Sequence, residues 1–348
     1  MDISSISTEI QQRIKRILQN ENFRKLCLRE RGRVNFDEIF ANSLKIANID
    51  VSNIHEDKSL LSNVNLFTPE EIKTDVFEFY ATLDNLDPNG INLLDRITQN
   101  SKYVRLKPRT PDERSYCFSS IDKYGNEHRE IFINLEHRIG DTSNAIHELC
   151  HSCCTQFIEC LRSKDARVSE IPTVITDELS SRFLKKKYPQ FARYFLENDK
   201  YVQKLNVKKA RECVFDALLI KIMCGEMSLA EVLQNYGEMF EDFPDILPNK
   251  LISIEENKFK PLYEYSYLIP QAIAMEMRER FKEQPELVAK QLKEIINSNH
   301  RIIEEQVLEY LELPPKDQLI DNYVSKFQDR IQQINSEQDT LTEVKDIK

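Results

Sequence analysis

The spacing of apolar positions divides the chain into three textures. Over residues 1–100 apolar side chains recur at helical intervals: Ile10, Ile14, Ile17 and Leu18 form one stripe, and Val76, Phe77, Phe79 and Tyr80 another. Polar connectors separate them, Asn53 to Ser59 and the turn Asp87-Pro88-Asn89-Gly90. After Ser101 strand-forming runs take over. Tyr103-Val104-Arg105-Leu106, Tyr116-Cys117-Phe118-Ser119-Ser120 and Arg129-Glu130-Ile131-Phe132-Ile133-Asn134-Leu135 read as strands, the last two joined through residues 122–126 as an antiparallel hairpin. From Asp141 helical spacing returns, with Asp141, Thr142 and Ser143 as candidate N-caps. Further helices are expected over residues 207–224, 229–240 and 287–311, the last stopped by Pro314-Pro315.

The pattern predicts a mainly α (α+β) protein with one small antiparallel β-sheet. Residues 1–100 are expected to form a helical N-terminal lobe, 101–315 a region carrying the chemistry, and 316–348 a C-terminal helix and polar tail. Composition supports the helical reading: only 6 Gly and no Trp stand against 30% charged and 41% hydrophobic residues. At 348 residues the chain is long enough for one large domain or two packed lobes.

A net charge of -10, with no basic run longer than Lys185-Lys186-Lys187, disfavours nucleic acid as a partner, because phosphate binding needs a cationic footprint. No continuous apolar stretch suggests a signal peptide or a membrane span. The expectation is a cytoplasmic protein, with export into a host cell by a route lacking a cleavable signal left open. Eight cysteines, three of them (Cys150, Cys153, Cys154) close together, read as small apolar residues in a reducing compartment.

The chemistry is concentrated in His147-Glu148-Leu149-Cys150-His151, an HExxH sequence. Two histidines at i and i+4 project from one helical face, so both imidazoles can reach a single tetrahedral cation, and the Glu beside the first can take a proton from water held there. Ile146, Leu149, Cys150, Cys153 and Phe157 form an apolar stripe on the same helix, which packs it and holds the histidines in place.

A catalytic zinc needs a third protein ligand. Glu170 lies 19 positions after His151 and Glu178 lies 27 after it, and both spacings allow a turn and a return helix. Pro172 is tolerated in a first helical turn, which would put Glu170 at the very start of its helix. Glu170 and Asp177 are seven apart, hence on one face, and could serve as ligand and as hydrogen-bond partner of an imidazole. Cys154, at i+3 from His151, falls on the ligand face and is expected as a small buried thiol beside the site.

Glu170-Ile171-Pro172-Thr173 downstream of an HExxH helix, followed by Pro261-Leu262-Tyr263-Glu264-Tyr265-Ser266-Tyr267, resembles the thimet oligopeptidase and oligoendopeptidase F family of zinc metallopeptidases. The resemblance implies a helical zincin-like fold with a cleft bordered by the sheet, and one Zn2+ per chain on His147, His151 and Glu170. It implies Glu148 as general base, Tyr267 as donor to the oxyanion, and Tyr263 and Tyr265 at the substrate, which would be a peptide or protein. Tyrosines spaced by two cannot all share one helical side, so at least one packs instead. Cys150 and Cys154 stand where the family has Gly and His. That departure motivates the other reading of the chain, a catalytically degenerate module that holds a peptide or protein partner.

Overall fold

A computed structural model describes residues 8–33, 35–57, 60, 67–108, 115–121, 127–135, 139–154, 167–240, 244–298 and 304–343. Among the described residues the protein is predominantly helical, with one three-stranded sheet, the expected mainly α class. In chain order the elements are α1 (Thr8–Leu18), α2 (Glu21–Arg31), α3 (Phe36–Ala47), α4 (Pro69–Leu86), α5 (Leu93–Asn100), β1 (Val104–Pro108), β2 (Tyr116–Ile121), β3 (Glu127–Leu135), α6 (Ile139–Cys153), α7 (Arg167–Lys187), α8 (Ala192–Met223), α9 (Leu229–Tyr236), α10 (Ile246–Glu255), α11 (Tyr265–Glu283), α12 (Pro285–Asn297), α13 (Glu304–Tyr310) and α14 (Lys316–Glu343). Among the described residues no helix is long and apolar enough to cross a membrane.

The chain groups into two units. One comprises Met1–His55, Lys200–Leu268 and Val324–Asn335; the other comprises Glu56–Asp199, Ile269–Tyr323 and Ser336–Lys348. In the first, α1 packs on α10, and Ile14, Ile17, Phe23, Cys27, Ile39, Ile46, Val214, Leu218 and Ile254 are buried. Ile10 belongs to α1, but its side chain lies outside the described residues.

The second unit carries the HExxH sequence. Helix α4 starts in a capping box: Thr68 Oγ1 accepts from Glu71 N, the Glu71 carboxylate accepts from Thr68 N, and Pro69 fills the first helical position, where no N–H is missed. At the other end Asp84 accepts from Leu93 N (3.0 Å) and Leu94 N (2.9 Å), which seats the start of α5 on α4. The same carboxylate takes the buried Lys293 ammonium of α12 at 2.8 Å. One acid thus ties three helices together.

The sheet has the order β1-β3-β2. The β2–β3 hairpin is antiparallel as expected, with Tyr116 opposite Phe132. β1, however, joins the far side of β3 in parallel, Val104 opposite Ile131 and Pro108 opposite Leu135, so the sheet is mixed rather than antiparallel. The hydrophobic pattern could not say so, because it fixes which residues face inward and not the direction of a partner. Both faces of β3 are covered, with Ile131, Phe132, Ile133 and Leu135 all buried.

Helix boundaries differ from the sequence expectation in several places; α8 starts at Ala192 rather than at residue 207, and α9 ends at Tyr236 rather than at residue 240. α6 begins at Ile139, so Asp141, Thr142 and Ser143 sit inside its first turns instead of capping it. α7 begins at Arg167, which puts Glu170 in its first turn but Pro172 inside the helix, where the ring forgoes one bond to the carbonyl of Val168. The helix expected over residues 287–311 is two helices, α12 ending where Ser298 adopts an extended backbone and α13 starting at Glu304. The loop at residues 122–126 and Phe157 lie outside the described residues.

Candidate metal centre

Helix α6 is held on several sides within its unit, packing against α7, β3, α4 and α5. Its stripe of Ile146, Leu149, Cys150 and Cys153 is buried, which orients the opposite edge bearing His147 and His151 toward α7. The two rings stand 4.9 Å apart between centroids at an angle of 78°.

Glu170 of α7 completes the group. Its Oε2 lies 3.7 Å from His147 Nε2 and 3.6 Å from His151 Nε2. One ligand atom from each of the three residues lies within 4.8 Å of the others, so the three could hold a metal ion. Four donors placed tetrahedrally about an ion at roughly 2.0–2.2 Å are about 3.3–3.6 Å from one another, close to the carboxylate–imidazole separations here. The donor set, two imidazoles and a carboxylate, suits a borderline divalent transition metal. The residues therefore fit the ion that the motif implies.

The remaining ring nitrogen of His147 is fixed by the acid seven residues past Glu170. Asp177 Oδ2 is 2.9 Å from Nδ1. Burial acts to lower the His147 pKa, but the Asp177 charge and hydrogen bond, helped by Glu148 and Glu170, outweigh it and push the imidazole up to about 9. The Glu148 carboxyl is raised by burial, against the opposing pull of His147 and His151. A carboxyl raised in this way is a better proton acceptor than one in water.

The other expected residues fall as follows. Glu178 does not face the histidines: its Oε2 accepts from Arg278 Nη1 of α11 at 2.8 Å. That ion pair explains why the later of the two candidate acids is not in the cluster. Cys154 is buried beyond His151, its N–H bonded to the carbonyls of Cys150 and His151, and its thiol beside that of Cys150. Burial pushes the Cys150 thiol well above its ordinary range, so that sulfur behaves as a packing atom.

Tyr263, Tyr265 and Tyr267 belong to the other unit. The Tyr263 and Tyr267 hydroxyls are 3.2 Å apart, and Lys209 Nζ sits 4.2 Å from the centre of the Tyr267 ring. Tyr265, expected at the substrate, is 1% exposed and is the packing member of the three.

Three side chains that support α6 were not visible in the sequence. The buried Tyr80 hydroxyl donates to Ile146 O at 2.7 Å, at the residue preceding His147. At the far end of the helix Arg96 Nη1 donates to Cys153 O (3.0 Å) and Asn100 Nδ2 to Ser152 O (3.1 Å), occupying carbonyls that a helix terminus leaves unsatisfied. Each lies 52 to 66 positions from its partner, so no local pattern reveals it.

No protein-family model matches the sequence, and no curated protein matches it either. Solved structures do resemble the fold. A structure titled PZ peptidase A with inhibitor 2 superposes with a TM-score of 0.56 at 13% identity, covering 95% of this chain and 59% of that one. A putative oligoendopeptidase F from Bacillus anthracis superposes with a TM-score of 0.53 at 12% identity, covering 94% of this chain and 62% of that one. The protein thus spans about three fifths of each and shares its helical fold with two structures named as peptidases.

Proposed function

We propose that this protein is a zinc-dependent endopeptidase or oligopeptidase. The observation that carries the proposal is the His147–His151–Glu170 cluster, two imidazoles on one helix and a carboxylate on the next, with ligand atoms within 4.8 Å of one another. The likeness of the fold to structures named as peptidases supports it.

When bound, a zinc ion supplies a Lewis acid that polarises the scissile carbonyl and makes a coordinated water acidic near neutral pH. The chain's own residues do the rest. His147, His151 and Glu170 would hold the ion. Asp177 fixes the orientation of the His147 ring and makes its other nitrogen a better ligand. Glu148 accepts a proton from the attacking water as the oxygen adds to the carbonyl carbon, then delivers it to the amine nitrogen as the C–N bond breaks. The family resemblance assigns to Tyr267 the role of donor to the oxygen on which negative charge develops; a phenol can do this while staying neutral at pH 7. The substrate is a peptide or an exposed protein segment, encountered in the cytoplasm.

Hydrolysis of a mixed peptide library tests the reading. Turnover that disappears on treatment with a chelator and returns with one equivalent of Zn2+ is the expected result. Turnover untouched by exhaustive chelation overturns it.

A further inference from the structure

Glu170 stands in a weakened turn. Pro172 has no N–H to give, so the first turn of α7 lacks the bond that would end on the carbonyl of Val168. Side-chain hydroxyls add bonds of their own in the same stretch. Thr173 Oγ1 donates to Glu170 O at 2.9 Å, and Thr176 Oγ1 donates to Thr173 O at 2.7 Å. Both threonines are completely buried. Such back-bonds are ordinarily neutral or slightly unfavourable inside a helix, so their place beside a candidate ligand calls for another reason.

The Thr173 hydroxyl has a second acceptor. Its oxygen lies 3.5 Å from Glu170 Oε2, the same atom that lies 3.7 Å from His147 Nε2 and 3.6 Å from His151 Nε2. One proton thus faces both the main-chain carbonyl and the carboxylate of a single residue, in a three-centre arrangement whose shorter arm ends on the carbonyl. The carboxylate is folded back over its own turn, and the oxygen so held is the one turned to the imidazoles. Asp177, the other acid of α7 that meets a histidine, is followed in the same way: the buried Ser180 Oγ donates to its carbonyl at 3.0 Å.

We infer that Thr173 is a positioning residue for Glu170: its hydroxyl holds the carboxylate with Oε2 turned to the two imidazoles, so that the third ligand is in place before a divalent cation arrives. The inference rests on the metal-binding half of the proposed function and not on peptide hydrolysis. A glutamate side chain is among the costlier ones to immobilise, and a ligand that the fold has already immobilised does not meet that cost again on binding. Loss of an outer hydrogen-bond partner of a ligand ordinarily weakens metal binding about 10–100-fold.

The test is metal binding, measured on the full chain by competition for Zn2+ with a chromogenic chelator. Thr173→Val keeps the shape of the side chain and deletes the hydroxyl; it should weaken binding about 10-fold or more. Thr173→Ser keeps the outer partner and should stay within about 3-fold of the wild type. In a Glu170→Ala background, where no carboxylate remains to be held, Thr173→Val should cost less than about 3-fold. The visible absorption of bound Co2+ gives a second readout: its bands should move in Thr173→Val, as the carboxylate changes its approach to the ion, and return in Thr173→Ser. Should Thr173→Val not fold, Thr173→Ala deletes the same hydroxyl and goes through the same comparison.

Wild-type affinity in Thr173→Val, or an equal loss with and without the Glu170 side chain, would mean that the hydroxyl serves only the backbone of α7 and would overturn the inference. A loss that Thr173→Ser fails to reverse would do the same. If the wild-type chain binds neither Zn2+ nor Co2+, the metal reading itself fails, and the inference falls with it.

Discussion

Asp177 Oδ2 lies 2.9 Å from His147 Nδ1, so α7 both brings Glu170 to the two histidines, a group that could hold a metal ion, and orients one of those histidines. Helical periodicity makes the double role possible, because Glu170 and Asp177 are two turns apart on one face.

Removing the acid separates its orienting role from the ligand set. Asp177→Ala leaves all three ligands in place and should weaken metal binding about 10–100-fold, measured by competition with a chromogenic chelator. Unchanged affinity would show that packing alone holds the ring.

The two acids of α7 that the sequence leaves as rivals should part cleanly. Glu170→Gln should come through dialysis with far less metal than the wild type, because it loses a charged ligand. Glu178→Gln should retain a full equivalent and lose only its pairing with Arg278, about 1 kcal/mol of stability by chemical denaturation. Elemental analysis of the two variants side by side checks this, and the reverse pattern would assign the ligand to Glu178.

Tyr80→Phe deletes the hydroxyl that meets Ile146 O and leaves the ring in the core. The expected loss is about 1 kcal/mol, more if the freed carbonyl stays unsatisfied, and metal affinity should fall with it because that carbonyl immediately precedes His147. Thermal melts with and without Zn2+ measure both effects.

What could be read from the sequence follows the range of the interactions. The pairing of His147 with His151 and the face shared by Glu170 and Asp177 are consequences of a 3.6-residue period, visible within a window of eight residues. The buried stripe of α6 and the β2–β3 hairpin are local in the same sense, the hairpin because its strands are consecutive. The parallel seat of β1 depends on a strand 27 positions away in the pairing of Val104 with Ile131, and no turn announces it. Arg278, which draws Glu178 away from the histidines, lies 100 positions from it. Pro172 misled in another way: its preference for a first turn is a bias of about 3 kcal/mol against the helix interior, which the burial of Ile171, Val174 and Ile175 on either side offsets.

Glu148→Gln tests the central claim most directly, because it changes one proton acceptor and no ligand. With metal content measured on the same sample, the account predicts one equivalent of zinc per chain and a rate of peptide hydrolysis lowered by about 10²–10⁴-fold or more. A Glu148→Gln enzyme that cleaves peptides at the wild-type rate would contradict it.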